Sequence, residues 1–162
     1  MTKNILITGG AGYIGSHVTE ILIKNKKRVF VIDNLSTGYK KLIHKKAKFF
    51  KVDINEKKKI KLIIKKNKID SVIHLAASLI IGEGQKNPRK YYKNNVLGTK
   101  NLISACLNTN IKNFIFSSTA AVYKDGLHKV NENSPIKPKS VYGKTKLSAE
   151  KLIIKNFKKH KI

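Results

Sequence analysis

The run Thr8-Gly9-Gly10-Ala11-Gly12-Tyr13-Ile14-Gly15 joins an apolar stretch with strand character, Asn4 to Thr8, to one with helical character, Tyr13 to Lys24. A strand, a glycine turn and a helix in succession give a tight loop at the positive end of a helix dipole, where unpaired backbone amides attract anions. Gly9 lets the chain turn sharply off the strand, Gly12 lets backbone approach a pyrophosphate, and Gly15 lets the helix pack closely on the sheet. The spacing is G-x-x-G-x-x-G with Gly10 as an extra, rather than G-x-G-x-x-G. Alone, it fits a phosphate cradle and a plain strand-to-helix turn equally well.

Downstream, short apolar runs alternate with amphipathic ones. Arg28 to Asp33, Lys48 to Val52, Ser71 to Leu75 and Asn113 to Phe116 read as strands. The continuous apolar run from Val29 to Ile32 fits a strand buried on both faces of a parallel sheet. Helices are expected over Asn55 to Lys66, with Ile60, Ile63 and Ile64 on one face, over Arg89 to Leu107, and over Leu147 to Phe157. Ser78 to Lys90 and Ala120 to Pro138, broken by glycine and proline, read as loops. Five strands alternating with helices predict an α/β fold, a doubly wound parallel sheet of Rossmann type with helices on both faces.

Asp33 ends the second strand about 20 residues beyond the glycine turn, where such sites place a carboxylate on the adenosine ribose. A carboxylate there also repels a 2′-phosphate, so NAD is expected over NADP. Ala76 and Ala77 are small enough for a cofactor to lie against the end of the fourth strand. Asn94 and Asn95 are poor helix formers inside an expected helix, which gives their amides a side-chain role. His74 fits a hydrogen-bonded histidine at a strand end better than a base. Ser117-Ser118-Thr119 form a polar cluster at the carboxyl end of the fifth strand, where open parallel sheets bind ligands.

Tyr142 and Lys146 stand four residues apart and so share a face if the segment is helical. An ammonium beside a phenol favours the phenolate and makes the tyrosine a usable base. In a lysine-rich chain the same pair also arises by chance on a solvated helix; the glycine turn, Asp33 and the hydroxyl cluster favour the chemical reading.

The 162 residues suffice for one domain with a core and are too few for two ordinary ones. The formal net charge of +26 comes from lysines spread along the chain, in the runs Lys24 to Arg28, Lys57 to Lys61 and Lys155 to Lys161. A nucleic-acid binder gathers its charge into a patch or tail, so abundant Lys, Ile and Asn fit a compositional bias at permissive surface positions better. The single cysteine, Cys106, lies in an apolar run and reads as a core thiol, with no intramolecular disulfide available. No signal-peptide core and no apolar run of membrane-spanning length is present, so a soluble cytoplasmic location without a membrane partner is expected. No metal site is expected.

Taken together, these motifs resemble the extended short-chain dehydrogenase/reductases of the NAD-dependent epimerase/dehydratase kind, and among them the UDP-glucose 4-epimerases. The residues that carry the resemblance are the glycine turn through His17, Asp33-Asn34-Leu35-Ser36, Asp53-Ile54, His74-Leu75-Ala76-Ala77, Gly82-Glu83, Tyr91 to Thr99, Phe116 to Tyr123 and Tyr142 to Lys146. The resemblance implies that Tyr13 and Ile14 line the pyrophosphate of NAD, with Gly9, Gly12 and Gly15 in the same cofactor-binding turn. Asp33 and Asn34 would hold the adenosine ribose and Asp53 and Ile54 flank the adenine, with Ala76, Ala77 and Asn94 bordering the cofactor further along. Thr119 would bond the reacting sugar hydroxyl, Tyr142 would take its proton, and Lys146 would hold the nicotinamide ribose. The implied substrate is a nucleotide sugar, UDP-glucose or UDP-galactose, with a homodimer in the full-length family and no specific nucleic-acid partner.

Members of that family are about twice as long. Residues 1–162 are therefore expected to be the NAD-binding domain without the part that grips the sugar nucleotide, leaving the fifth strand as an uncovered edge. Weak or no NAD binding and no turnover of UDP-galactose are expected of this chain alone. Lys124 stands where the family usually has glycine, a loop position of little weight. Two other readings remain: another nucleotide-sugar epimerase, dehydratase or reductase of the family, and a non-catalytic basic nucleic-acid binder. Ala120-Ala121 after Thr119 argue against a dehydratase, which would carry acids there.

Overall fold

The computed structural model describes residues 3–126 and 129–160. Residues 127–128 of the expected loop and the end of the last lysine run, including Lys161, lie outside the described residues. Five parallel strands, β1 (Asn4–Thr8), β2 (Arg28–Asp33), β3 (Lys48–Lys51), β4 (Ser71–His74) and β5 (Asn113–Phe116), form one sheet in the order β3-β2-β1-β4-β5. Parallel neighbours need crossovers: three contain the helices α1 (Tyr13–Lys24), α2 (Lys57–Lys66) and α5 (Gly98–Cys106), the one from β2 to β3 only a 3₁₀ turn (Lys40–Leu42), and α6 (Val141–His160) follows β5.

Side chains alternate across the sheet and build two cores. Ile5, Ile7, Val29 and Val31 face one side, where Val18, Leu22 and Ile23 of α1 cover them. Leu6, Phe30, Ile32 and Val72 face the other and pack against Ile60, Ile63 and Ile64 of α2 and Leu102, Ala105 and Cys106 of α5. Cys106 is buried, and burial pushes its thiol up to about 12, as a core thiol requires. Phe157 of α6 stacks on Phe114 on this second side. Ile115 points to the first side, beyond the reach of α1, and is 59% exposed.

The chain winds outward from β1 to β3, then returns past β1 to β4 and β5. Strand direction of travel reverses between β1 and β4, and a crevice opens there at the carboxyl ends of the strands. Gly9 bends the chain over that crevice at φ 75°, and a Cβ on it would lie 2.7 Å from the Ala76 nitrogen. The close packing on the sheet assigned to Gly15 falls instead to Gly10, whose absent side chain leaves room for Val31; Gly15 abuts the carbonyl of Gly9 within the turn.

Three segments depart from expectation. The loop from Ser78 contains a short helix, α3 (Ile81–Lys86), held by Tyr91, whose single hydroxyl proton is shared between the Ile80 carbonyl (2.6 Å) and, more distantly, Glu83 (3.2 Å). Its two glycines hid it, yet Gly84 is what lets the Tyr91 ring approach. The single helix expected over Arg89 to Leu107 is three pieces: α4 (Pro88–Tyr91), a π-helical turn (Tyr92–Leu97) and α5. A π turn holds an extra residue, and here it swings Asn94 and Asn95 together onto Ser78. Finally, α6 begins six residues earlier than its apolar period suggests, because the Ser140 hydroxyl accepts from the Gly143 amide (3.0 Å) and caps the helix. The loop before it is pinched by an antiparallel bridge between Tyr123 and Ile136.

Candidate functional site

The crevice is walled by the glycine turn on one side and by Leu75, Ala76 and Ala77 after β4 on the other. α1 starts beside it at Gly12 with no side-chain cap and no acid in its first turn. The amides of Tyr13, Ile14 and Gly15 have no acceptor among the described residues, so three donors at the positive end of the helix are free for an anion. Asp33 stabilises the turn from the far side: one carboxylate oxygen accepts from the Ala11 amide (3.0 Å) and the other from the Leu35 amide (2.8 Å). Each oxygen keeps a lone pair for a ligand hydroxyl.

Asn34 donates to Asp53 (2.8 Å), and Asp53 also accepts from the amide and side chain of Asn55. Burial works against the charged form of Asp53, but the hydrogen bonds from Asn55 and Asn34 outweigh it and hold the carboxyl below its usual range. Gly9, Gly12, Asp33, Asn34, Ile54, Ala76, Ala77 and Asn94 all line the crevice. Asp53 does not line it and braces Asn34 instead, while Tyr13 and Ile14 stand exposed at the helix start.

A second group lies beyond β5. Lys146 is buried on α6 and donates to the Ser117 carbonyl (2.6 Å), its ammonium 4.6 Å from the Phe116 ring centroid and 6.0 Å from that of Tyr142. Burial lowers the ammonium to about 8, with Glu150 pulling the other way. Thr119 opens the turn that follows β5, its hydroxyl accepting from the Ala121 amide (3.2 Å). That turn meets α6 at Gly143, where a Cβ would lie 2.3 Å from the Ala121 carbonyl, so the helix and the turn pack backbone to backbone. The Tyr142 phenol and the buried Lys146 cation thus sit on the helix that packs against the end of β5 and the turn opened by Thr119.

The sequence profile of the NAD dependent epimerase/dehydratase family matches residues 5–162. The chain belongs to this family. Within it, the chain is 42% identical over 152 residues to the UDP-glucose 4-epimerase of Lactobacillus helveticus, which covers 92% of this chain and 46% of that relative. The UDP-Glc/GlcNAc 4-epimerase of Campylobacter jejuni superposes with a TM-score of 0.94 at 40% identity, over 98% of this chain and 50% of that one. The UDP-glucose 4-epimerase of Brucella ovis, solved in complex with NAD, gives 0.95 at 36% identity, over 99% of this chain and 50% of its own. The chain spans about half the length of the curated relatives it matches.

Other residues of the crevice were less visible in sequence. Ser36, Thr37, Gly38 and Leu79 also line the crevice. The polar run after β2 was a signal for the first three; Leu79 carried none. His74 is wholly buried and hydrogen-bonded at both ring nitrogens, to Thr8 (2.7 Å) and Thr99 (2.9 Å). Burial, with positive Lys146 nearby, pushes its imidazole down to about 3, which makes it a neutral structural group. No helix among the described residues is long and apolar enough to cross a membrane.

Proposed function

We propose that this chain is the NAD-binding portion of a UDP-glucose 4-epimerase. The observation that carries this is the pairing of Tyr142 and Lys146 on one helix, with Lys146 drawn down onto the Ser117 carbonyl at the end of β5. The cradle suits a dinucleotide: free amides of α1 for the pyrophosphate, Asp33 for the adenosine ribose, and Ile54 with Asn34 at the adenine end. Its small walls at Ala76 and Ala77 leave room for the nicotinamide half to run toward Tyr142.

In this reading a bound NAD would supply reversible hydride transfer at C4 of the sugar. Tyr142 removes the proton of the sugar hydroxyl and later gives it back. Thr119 holds that hydroxyl, and Lys146 donates to the nicotinamide ribose while its charge favours the phenolate. Asp33 sets NAD above NADP, because a 2′-phosphate would meet a carboxylate. The substrate is UDP-glucose or UDP-galactose; the N-acetylated sugar named for the Campylobacter jejuni enzyme is a second candidate at the same hydroxyl. Thr119 is followed by Ala120 and Ala121, with no acid for a dehydration step.

Adding NAD to the ¹⁵N-labelled chain tests this, since amide shifts register weak binding. NAD should move the signals of Gly9 to Ser16 and Asp33 to Gly38, NADP should move them less, and Asp33→Asn should narrow the difference. A response to NADP equal to or larger than that to NAD refutes the assignment. No epimerisation of UDP-galactose by this chain alone is expected.

A further inference from the structure

A line of buried polar side chains runs from the glycine turn to α6. Thr8, His74, Thr99, Asn95 and Thr145 are each 2% exposed or less. Thr8 directly precedes Gly9, and its hydroxyl lies 2.7 Å from His74 Nδ1 and accepts from the Ala76 amide (3.3 Å). His74 Nε2 lies 2.9 Å from the Thr99 hydroxyl, which donates to the Asn95 carbonyl (2.6 Å). The Asn95 amide donates to the Ser78 carbonyl (2.9 Å) and to the Thr145 hydroxyl (3.0 Å), and its oxygen accepts from the Ser78 amide (2.8 Å). Thr145 then donates to the carbonyl of Tyr142 (2.8 Å).

The direction of every bond in this line is fixed. A carbonyl cannot donate, so the one hydroxyl proton of Thr99 goes to Asn95 and that of Thr145 goes to Tyr142. Thr99 can therefore only accept from His74, which puts the imidazole proton on Nε2 and leaves Nδ1 to accept from Thr8. No member has a spare donor, and a change at one link leaves a buried group unpaired at the next.

We propose that Thr8, His74, Thr99, Asn95 and Thr145 form a positioning network that sets the first turn of α6, and with it Tyr142, relative to the glycine turn and the Ser78 loop. None of the five is among the residues given a chemical step above; Thr8 alone also lines the crevice. Their role rests on the reading of Tyr142 as the proton acceptor, and it accounts for the π turn: in the bent helix Asn95 reaches Ser78 and Thr145 while its carbonyl remains open to Thr99. Apolar residues could fill the same space but would not fix the helix in rotation.

Two measurements on the cofactor-free chain decide this, so they stand whether or not it binds NAD. The ring nitrogens of His74, read by ¹⁵N NMR, should show a proton on Nε2 and a bare acceptor at Nδ1 throughout neutral pH. A proton on Nδ1, or a charged ring, overturns the network; this needs no variant. Thr145→Val keeps the shape and removes the hydroxyl. It should shift the ¹³Cζ resonance of Tyr142 as well as lower the melting temperature, and Thr145→Ser should restore the resonance. A lower melting temperature with the Tyr142 signal unmoved would reduce the network to ordinary core support.

Discussion

At the scale of single residues, burial decides which charges the fold tolerates. His74 accepts no proton until far below its ordinary value of 6.5, because charging it would strand a cation in a dry site near Lys146. The unfolded chain takes up that proton first, so His74's contribution to stability is complete above pH 6.5 and is lost as pH falls toward about 3. The shifted carboxyls of Glu20, Asp53, Glu56 and Glu83 are held below their usual values and act only at lower pH. Urea midpoints should therefore fall between pH 6.5 and 5, by roughly 1.4 kcal/mol per pH unit once well below the unfolded value; a flat profile there would contradict a buried neutral His74. Lys146 illustrates the opposite case, a cation kept in spite of its cost. Its value of about 8 lies below the ordinary 10.5, so the folded state bears the penalty in full below pH 8 and sheds it as pH rises toward 10.5. Lys146→Met should leave stability at pH 7 unchanged or raise it by up to about 2 kcal/mol. The advantage should shrink in alkali, and NAD-induced amide shifts should weaken. Chemical denaturation at pH 7 and pH 10, set beside NAD titration, separates the two effects.

At the scale of elements, placement comes from backbone rather than from apolar periodicity. α6 carries Tyr142 in its first turn, ahead of the apolar run that marks the helix in sequence. What extends the helix back to Val141 is the hydroxyl of Ser140 on the Gly143 amide, with Val141 itself donating to Gln85 of α3 (3.0 Å). Ser140→Ala should cost about 1 kcal/mol, seen in urea unfolding, and should broaden the amide signals of Val141 to Gly143 more than those further along. A uniform loss across α6 would mean that the cap does not hold this turn. The same helix shows what a sequence can convey. The strands were legible because runs such as Val29 to Ile32 have few alternatives, and the Tyr142 and Lys146 pair because a four-residue spacing has a geometric meaning on any helix. The π turn was not, since its cause lies in contacts of Asn95 with Ser78 and Thr145 that are distant in sequence, and the cap, though local, rests on a serine that the apolar period does not mark. Asn94 and Asn95 left a trace as poor helix formers. Thr8, Thr99 and Thr145 left none, because a threonine in a strand or helix is unremarkable until its hydroxyl is seen to be buried.

At the scale of the whole molecule, charge and site have separate origins. Of the described lysines Lys146 alone is buried, whereas the remainder stand at the surface and contribute to a net charge of +26. Such a field attracts any polyanion, including phosphate-bearing ligands of the crevice. The two modes differ in their dependence on salt. A polyanion binds by neutralising many phosphates and releasing their condensed counterions, so its affinity falls steeply with salt concentration. In the proposed mode NAD would bring two phosphates to amides and a helix dipole within a walled crevice, with Asp33 facing a neutral ribose. Raising sodium chloride from about 50 to about 500 mM shortens the Debye length from roughly 14 to 4 Å and should strip heparin or duplex DNA from the chain while weakening NAD only modestly. The logarithmic salt slope for the polyanion should be several times that for NAD, and it should not depend on nucleotide sequence. Lys65→Gln combined with Lys66→Gln and Lys68→Gln, at the carboxyl end of α2 where Lys68 meets the start of β1, across the sheet from the crevice, should flatten the polyanion slope and leave the NAD slope unchanged. Salt-resistant, sequence-selective binding of nucleic acid would instead make the basic surface a site in its own right and displace the cofactor crevice as the centre of this chain's function.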